Sequence, residues 1–184
     1  MKDHSIVVIA HEKLTSDELG ELQQLFDSEY RDEFGEWRPQ LPYGYAPHDV
    51  HIIAQVDGRA VGHVGWARRE IVVGTQTVVI AGVGGVLIAE GARGRHLGFD
   101  LMREAERTMR AHGGIDFGYL GCREDVVPFY AACGWTRVHA AERSIGRAGE
   151  LVADPPGQPI LIFPLCEPTE SWPEGEIDLR GRAW

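Results

Sequence analysis

The sequence is short of most features that announce a function outright. Its 184 residues include only three cysteines, Cys122, Cys133 and Cys166, an odd number without paired spacing, so a disulfide framework is not expected. No CxxC or HExxH occurs and the eight histidines are scattered, so no metal site is read from the pattern. The longest apolar stretch, Val78–Ala89, holds three glycines and is too short to cross a bilayer. Met1-Lys2-Asp3-His4 and the apolar run Ser5–Ala10 lack the length and small-residue cleavage site of a signal peptide, so a cytoplasmic location is expected. Positive charge is also scarce: 18 Lys and Arg against 28 Asp and Glu leave a net charge of −10 at pH 7. Nucleic acid and anionic membranes both require a basic footprint, so neither is expected as a partner. An acidic surface would instead attract a small cation.

What is present is a globular composition, with 43% hydrophobic and 25% charged residues; disorder, collagen and coiled coil are excluded at this level. The length suits one domain over residues 1–184, burying about two thirds of its unfolded surface without a covalent or metal staple. A strand is expected at Ile6–Ala10. Thr15-Ser16-Asp17 then offers capping side chains to a helix whose Leu19, Leu22, Leu25 and Phe26 share a face. Arg31–Asp49, rich in aromatics, proline and acid, reads as an ordered covering loop. His51–Val56 and Ala60–Ala67 flank Asp57-Gly58 as a hairpin, and Ile71–Val73 with Gln76–Ile88 make a second around Gly74. The last of these strands is apolar on both faces and should lie centrally; Gly82, Gly84 and Gly85 in it suggest a bulge or a close ligand approach.

A helix is expected from Leu97 to His112, stopped by Gly113-Gly114, then a strand at Phe117–Gly121 and a short helix at Val126–Cys133. Trp135–Val138 and Ile160–Pro164 are further strands, and Asp154-Pro155-Pro156-Gly157 is a turn. The order implies one α/β layer without an internal boundary.

The stretch that carries chemistry is Val86–Met102, where a buried strand enters an Arg- and Gly-rich turn that opens directly into a helix. The first turn of a helix has free N–H groups and partial positive charge, so phosphate binds there. Gly94 and Gly98 let a phosphate approach the backbone, while Arg93 and Arg95 add charge. The spacing is neither GxGxxG nor a Walker A loop.

The pattern resembles motif A of the GNAT superfamily of acyl-CoA N-acyltransferases, R/Q-x-x-G-x-G/A, read here as Arg93-Gly94-Arg95-His96-Leu97-Gly98. It departs at His96, where glycine is usual; a helical φ is open to histidine and its N–H remains. Pro128-Phe129-Tyr130-Ala131-Ala132-Cys133-Gly134-Trp135 resembles the superfamily's downstream FYxxxGF element. The resemblance implies a mixed, mostly antiparallel α/β (α+β) sheet flanked by helices, with a bulged central strand and a pyrophosphate-binding loop and helix. Acetyl-CoA is the implied co-substrate, with no metal. The His51–Ile71 hairpin ending in Arg68-Arg69, Gly85–Leu97, Leu120–Trp135 and Trp184 are similar to aminoglycoside 2'-N-acetyltransferases, which is the favoured reading, with antibiotic resistance as its consequence. Gly62-His63-Val64-Gly65 through Val73-Gly74 and the tail Ser171–Asp178 are similar to nodulation N-acyltransferases, which acylate a chitooligosaccharide amine. A third reading is an acyl-CoA-binding module that has lost turnover, to which Gly84 and His96 point.

The resemblance assigns Tyr130 as general acid for the departing thiolate. It assigns the coenzyme to the backbone at Val86, Leu87 and Ile88, to the loop Arg93, Gly94, Arg95, His96, Leu97 and Gly98, and to Val126 and Phe129. The general base stays open. The central-strand glutamate of many 2'-N-acetyltransferases is matched here by Gly84, leaving Asp32, Glu33, Glu36, the carboxylate of Trp184, His48 and His51 as candidates. Taken singly, the two histidines read as structural. For a cationic aminosugar, the loop Phe34–Tyr45 and the tail with Asp178 and Trp184 are the expected binding segments; Asp32, Glu33, Glu36 and Asp154 would pair with ammonium groups, and Trp37, Tyr43 and Trp184 would stack on rings. Gly84, Gly85 and Gly121 would leave space beside it. Exposed strands make a homodimer an expectation, and Cys122 and Cys133 read as small core residues.

Overall fold

The computed structural model describes residues 4–184; Met1, Lys2 and Asp3 of the opening segment lie outside the described residues. Strand β1 (Ser5–Ala10) leads to helix α1 (Ser16–Phe34). A capping box starts this helix: the Glu18 amide donates to the Thr15 hydroxyl, and the Glu18 carboxylate accepts from the Thr15 amide. Leu22, Leu25 and Phe26 are buried on its inner face. The helix runs one turn further than expected, to Gly35 at φ +80°, so Asp32 and Glu33 lie on an exposed last turn and not in the loop. No proline or glycine stands between Gly20 and Gly35, so the helix continues through the aromatic Tyr30 and Phe34.

Strands β2 (Val50–Val56), β3 (Arg59–Val73) and β4 (Gln76–Ile88) form an antiparallel meander. Asp57 and Gly58 both have positive φ, as the tight hairpin turn demands. The second hairpin is not separate: β3 is one strand of 15 residues, carrying Arg68-Arg69 within it. Helix α2 (Leu97–His112), β5 (Phe117–Gly121), helix α3 (Val127–Ala132) and β6 (Thr136–Val138) follow. A 3-10 turn, Glu124–Val126, takes up the start of the expected Val126 helix.

Then come β7 (Glu142–Ile145), β8 (Leu151–Asp154), β9 (Ile160–Pro164) and β10 (Ile177–Arg182). The strands form one ten-stranded sheet in the order β6-β9-β5-β4-β3-β10-β7-β8, with β1 and β2 joined to β3. The pairs β4–β5 and β10–β7 are parallel and the other named pairs antiparallel. Strand β3 is shared along one edge: residues 59–66 pair with β2, while Val72 and Val73 pair with β10.

One face of the sheet packs against α2, where Leu97, Leu101, Met102, Ala105 and Met109 meet Ile52, Val64, Val83 and Leu120. The other face holds α1 at one end, through Leu22, Leu25 and Phe26 against Ile53 and Leu87. At its other end Trp172 packs on Phe117 and Tyr119. Each such large apolar side chain contributes about 1.5–3 kcal/mol by leaving water. Among the described residues no helix is long and apolar enough to cross a membrane.

Candidate active site

The site forms where the sheet opens. Strand β4 pairs with β5 only at Ile80, Ala81 and Gly82; beyond Gly82 the two parallel strands diverge, and the β5-facing edge of residues 83–88 has no strand partner. The cause is written in β4. Gly65 of β3 faces Gly84, but His63 faces Leu87, so β4 carries one extra residue opposite Val64. Gly85 absorbs it at φ +59°. The side-chain record agrees. Val79, Ala81 and Val83 belong to the α2-side core before the bulge, whereas Val86 and Ile88 do so after it and Leu87 turns to α1. One inserted residue inverts the parity of a strand.

Three cavities lie along this opening. A cavity of 260 Å³ is lined by Ile88, Ala92, Arg93, Gly94, His96, Leu97, Gly98, Phe99 and Phe129, at the start of α2. A second, of 350 Å³, sits in the split itself against Val83, Gly84, Gly85, Val86, Gly121, Val126 and Tyr130. Its outer wall is Phe26, Tyr30, Phe34, Tyr43, His48 and Trp184. A third, of 410 Å³, is lined by Tyr119, Glu142, Asp154, Gln158 and Ala183, among others. The second and third share Tyr45, Leu120, Gly121, Cys122, Arg123 and Trp184. They are adjoining rooms on either side of the end of β5.

At the α2 loop the outcome differs from expectation in three residues. His96 is the N-cap and takes φ +60°, the left-handed region, instead of a helical φ. A glycine would sit there without cost, whereas histidine carries about 1–2 kcal/mol of strain. Arg93 is already engaged: its Nε donates to the Ile88 carbonyl at 3.0 Å and its Nη2 pairs with Glu29 at 2.5 Å. It clamps the loop to α1 and β4 rather than pointing free charge outward. Arg95 is exposed and does not line the cavity.

Beneath the bulge lies a row of imidazoles. His63 Nδ1 is 2.7 Å from the Gly85 carbonyl, His51 Nδ1 is 2.9 Å from His63 Nε2, and His11 Nδ1 is 3.0 Å from His51 Nε2. A carbonyl only accepts, so Nδ1 of His63 carries the proton, and in a row of neutral rings every other donor follows from that one. Burial and mutual repulsion push His51 down to about 3, and burial pushes His63 down to about 4 against the carbonyl's opposing pull. One ring nitrogen each from His48, His51 and His63 lie within 4.8 Å of one another, but the His51–His63 hydrogen bond already places a proton between two of the rings. His48 stands apart from the row, with neither of its buried ring nitrogens hydrogen-bonded.

Tyr130 is buried beside Phe129 and Trp135 on the wall of the split cavity, and burial raises its hydroxyl pKa far above the tyrosine range. The phenol therefore stays protonated at any working pH. On the third cavity, the Tyr119 hydroxyl donates to Glu142, whose own carboxyl is shifted upward by burial, with nearby Asp154 adding to the shift. Neither Glu142 nor Asp154 forms an ion pair among the described residues. Glu142 is absent from the residues singled out by sequence.

Several expected substrate groups lie elsewhere. Trp37 is 2% exposed and stacks on Phe26 at 4.9 Å, so it is core and not a sugar platform. Asp32 and Glu33 are exposed on α1, and Glu36 accepts from Gln23 at 2.8 Å; none of the three lines a cavity of the site. Asp178 pairs with Arg143 and the Arg180 amide on β10, away from the split. Trp184 does line both central cavities, yet Arg69 covers its ring at 3.9 Å and Gly82 packs against its benzo edge. It is a wall rather than a stacking face. Asp154, Gly84, Gly85 and Gly121 do line the central cavities.

The two segments similar to nodulation N-acyltransferases, far apart in the chain, meet in space. Val73 faces Ile177, the Gly74 amide donates to the Glu176 carbonyl at 2.9 Å, and a Cβ on Gly74 would lie 2.3 Å from the Glu174 carbonyl oxygen. Only glycine fits there. The nodulation protein A family (NodA) matches residues 8–182. No curated protein matches the chain.

Among solved structures, ElaA of Escherichia coli superposes with TM-score 0.62 at 18% identity, covering 89% of this chain and 99% of that one. A GNAT family acetyltransferase from Brucella melitensis, in complex with acetyl-CoA, gives 0.60 at 14% identity over 95% and 96%. YhbS of Escherichia coli, a GNAT family N-acetyltransferase in complex with CoA, gives 0.59 at 14% over 95% and 89%. At such identities the likeness is one of fold, and the fold is that of the GNAT enzymes. With its family match spanning nearly the whole chain, the protein belongs to the nodulation protein A family of GNAT-fold N-acyltransferases.

Proposed function

We propose that the protein transfers an acyl group from acyl-CoA to the free amine of a cationic aminosugar, with acetyl-CoA and an aminoglycoside 2'-amine as the leading pair. The observation that carries this reading is the junction of two unlike rooms at Leu120–Arg123: an aromatic one reaching Tyr130 and the open edge of β4, and an acidic one holding Glu142 and Asp154. A thioester suits the first and an ammonium group the second.

In this reading the main-chain amides opening α2 hold the coenzyme diphosphate, supported by the cavity at residues 93–98. The unpartnered edge at Val86–Ile88 holds the pantetheine arm and polarises the thioester carbonyl. Val126 and Phe129 flank it, and Tyr130 protonates the departing sulfur. Glu142 and Asp154 hold a second ammonium of the acceptor while its neutral amine attacks. Modification of an aminoglycoside in this way would confer resistance.

A second reading, a nodulation-type transfer of a longer acyl chain, is favoured by the family match and by the aromatic wall of Phe26, Tyr30, Phe34 and Tyr43. Thiol release measured with acetyl-, octanoyl- and palmitoyl-CoA, each against aminoglycosides and partially deacetylated chitooligosaccharides, separates the two. Fastest turnover with acetyl-CoA and an aminoglycoside supports the first; long donors with chitooligosaccharide support the second. CoA binding without turnover on any aminosugar contradicts both.

A further inference from the structure

We propose that His48 is the general base of the transfer, the imidazole that takes the proton from the acceptor nitrogen as that nitrogen joins the acyl carbon. The proposal rests on the acyl-transfer reading above and names the group that reading leaves unassigned.

The first support is an accounting of hydrogen bonds. A buried polar atom without a partner costs about 1–3 kcal/mol, and such atoms are rare enough that each needs a reason. Six are found among the described residues: Trp37 Nε1, Tyr43 Oη, His48 Nδ1 and Nε2, Arg137 Nε and Trp184 Nε1. Four of the six belong to Tyr43, His48 and Trp184, and all three residues line the split cavity. These unsatisfied atoms lie closed off just behind one wall, where a polar ligand entering the cavity reaches them once the wall shifts to admit it.

The second support is placement. The His48 ring lies flat on β3 at Gly65, where a Cβ would come within 2.4 Å of it, so glycine there is what admits the ring. Its Nε2 stands 3.2 Å from the point where a side chain would leave Gly84, immediately before the bulge that opens the sheet. Trp184 comes nearer still to that point, with its Cβ at 2.9 Å and its main-chain carbon at 3.0 Å, so the imidazole from the loop before β2 and the tail after β10 meet over Gly84.

The third support is the exclusion of neighbours. His51 and His63 are spent on the row that ends at the Gly85 carbonyl, and neither lines the split cavity. Asp32, Glu33 and Glu36 lie outside the site, and Glu142 and Asp154 line the other room. Of the remaining candidates only the carboxylate of Trp184 shares the split cavity with His48, its carbon 3.0 Å from the same point at Gly84; rescue by imidazole tells the two apart. The titratable groups acting on His48 are His63 on β3, His51 on β2 and His11 beside β1; with burial they hold it neutral, its lone pair available at pH 7.

A weak base is enough. Once the nitrogen has attacked, it is a far stronger acid than the parent ammonium. The N–C bond forms and the C–S bond breaks; the nitrogen's proton passes to His48, and Tyr130 gives its proton to the sulfur. Exchange with water then returns both residues to their starting states, so the net proton transfer is from amine to thiol.

The test uses the full-length protein with acetyl-CoA and any aminosugar the unmodified enzyme acylates. His48→Ala is expected to lower kcat by about 10²- to 10⁴-fold while acetyl-CoA affinity measured by calorimetry is unchanged, and added imidazole is expected to restore turnover. His48→Gln, which fills the space and keeps the fold, is expected to show the same loss without rescue. Wild-type kcat in either variant overturns the assignment, as does a loss in His48→Ala that imidazole leaves unchanged. An unmodified enzyme that binds acetyl-CoA and acylates no aminosugar overturns the reading beneath it instead, so the two failures are distinct.

Discussion

Glu142 is a carboxylate whose environment, not its sequence position, makes it distinctive. Its neighbours Tyr119 and Asp154 come from β5 and β8, and burial raises its pKa. Glu142→Gln should raise KM for a polycationic acceptor by about 10- to 100-fold, as expected for a lost hydrogen bond to a charged group, with little change in kcat. Because the carboxyl protonates at a higher pH than usual, KM in the unmodified enzyme should rise as pH falls toward that raised value. In the variant it should not, and steady-state kinetics across pH decides. Tyr130→Phe removes only a hydroxyl from a packed ring, so kcat should fall about 10²-fold with coenzyme binding intact; an equal rate would remove Tyr130 from the chemistry. Tyr130 was singled out because a contiguous motif surrounds it. Glu142 was not singled out, and His48 stood only among several candidate bases and taken singly read as structural, since Gly65 and Gly84 reach it from distant segments and no local pattern records that meeting.

Elements with a strong period were read closely from sequence: β5 and β9 match their expected bounds, and α2 was delimited by its apolar stripe and Gly113-Gly114. Strands β7, β8 and β10 were missed, although the three-residue β6 falls within the expected Trp135–Val138. Glu142-Arg143-Ser144-Ile145 has no alternation to speak of, and its parallel partner β10 begins at Ile177. Such pairing is decided by topology rather than propensity. The bulge in β4 was anticipated from its glycines, but the parity change that shows one inserted residue appears only in the packing. The loop before α2 offers a direct test at this scale. His96→Gly relieves a left-handed histidine and should raise stability by about 1 kcal/mol after the glycine's own entropy is counted, read as a shift in the urea midpoint at unchanged slope. A loss of stability would mean that the His96 side chain makes compensating contacts.

Across the whole molecule, the buried imidazoles couple folding to pH. His48, His51 and His63 are neutral in the fold, with His51 pushed down to about 3 and His63 to about 4. In the unfolded chain each takes a proton near 6.5. Their contribution is therefore fully present above that pH and is lost as pH falls toward the folded values. Each group steepens the loss by about 1.4 kcal/mol per pH unit, against a total stability of about 5–15 kcal/mol. The urea midpoint should fall steeply between pH 6.5 and about 4.5, and a flat profile would mean that the rings are charged or exposed in the fold.

The same architecture sets the decisive observation, because the split between β4 and β5 adjoins the acidic room at Leu120–Arg123 and the loop at residues 93–98 follows the end of β4. A crystal structure of the protein with CoA and an acylatable aminosugar tests that arrangement most directly. The account predicts the diphosphate on the amides opening α2, the sulfur beside Tyr130, and the acceptor nitrogen between His48 and the carboxylates of Glu142 and Asp154. Coenzyme bound away from that loop, or an acceptor whose amine lies on the far side of Trp184 from the sulfur, would contradict it.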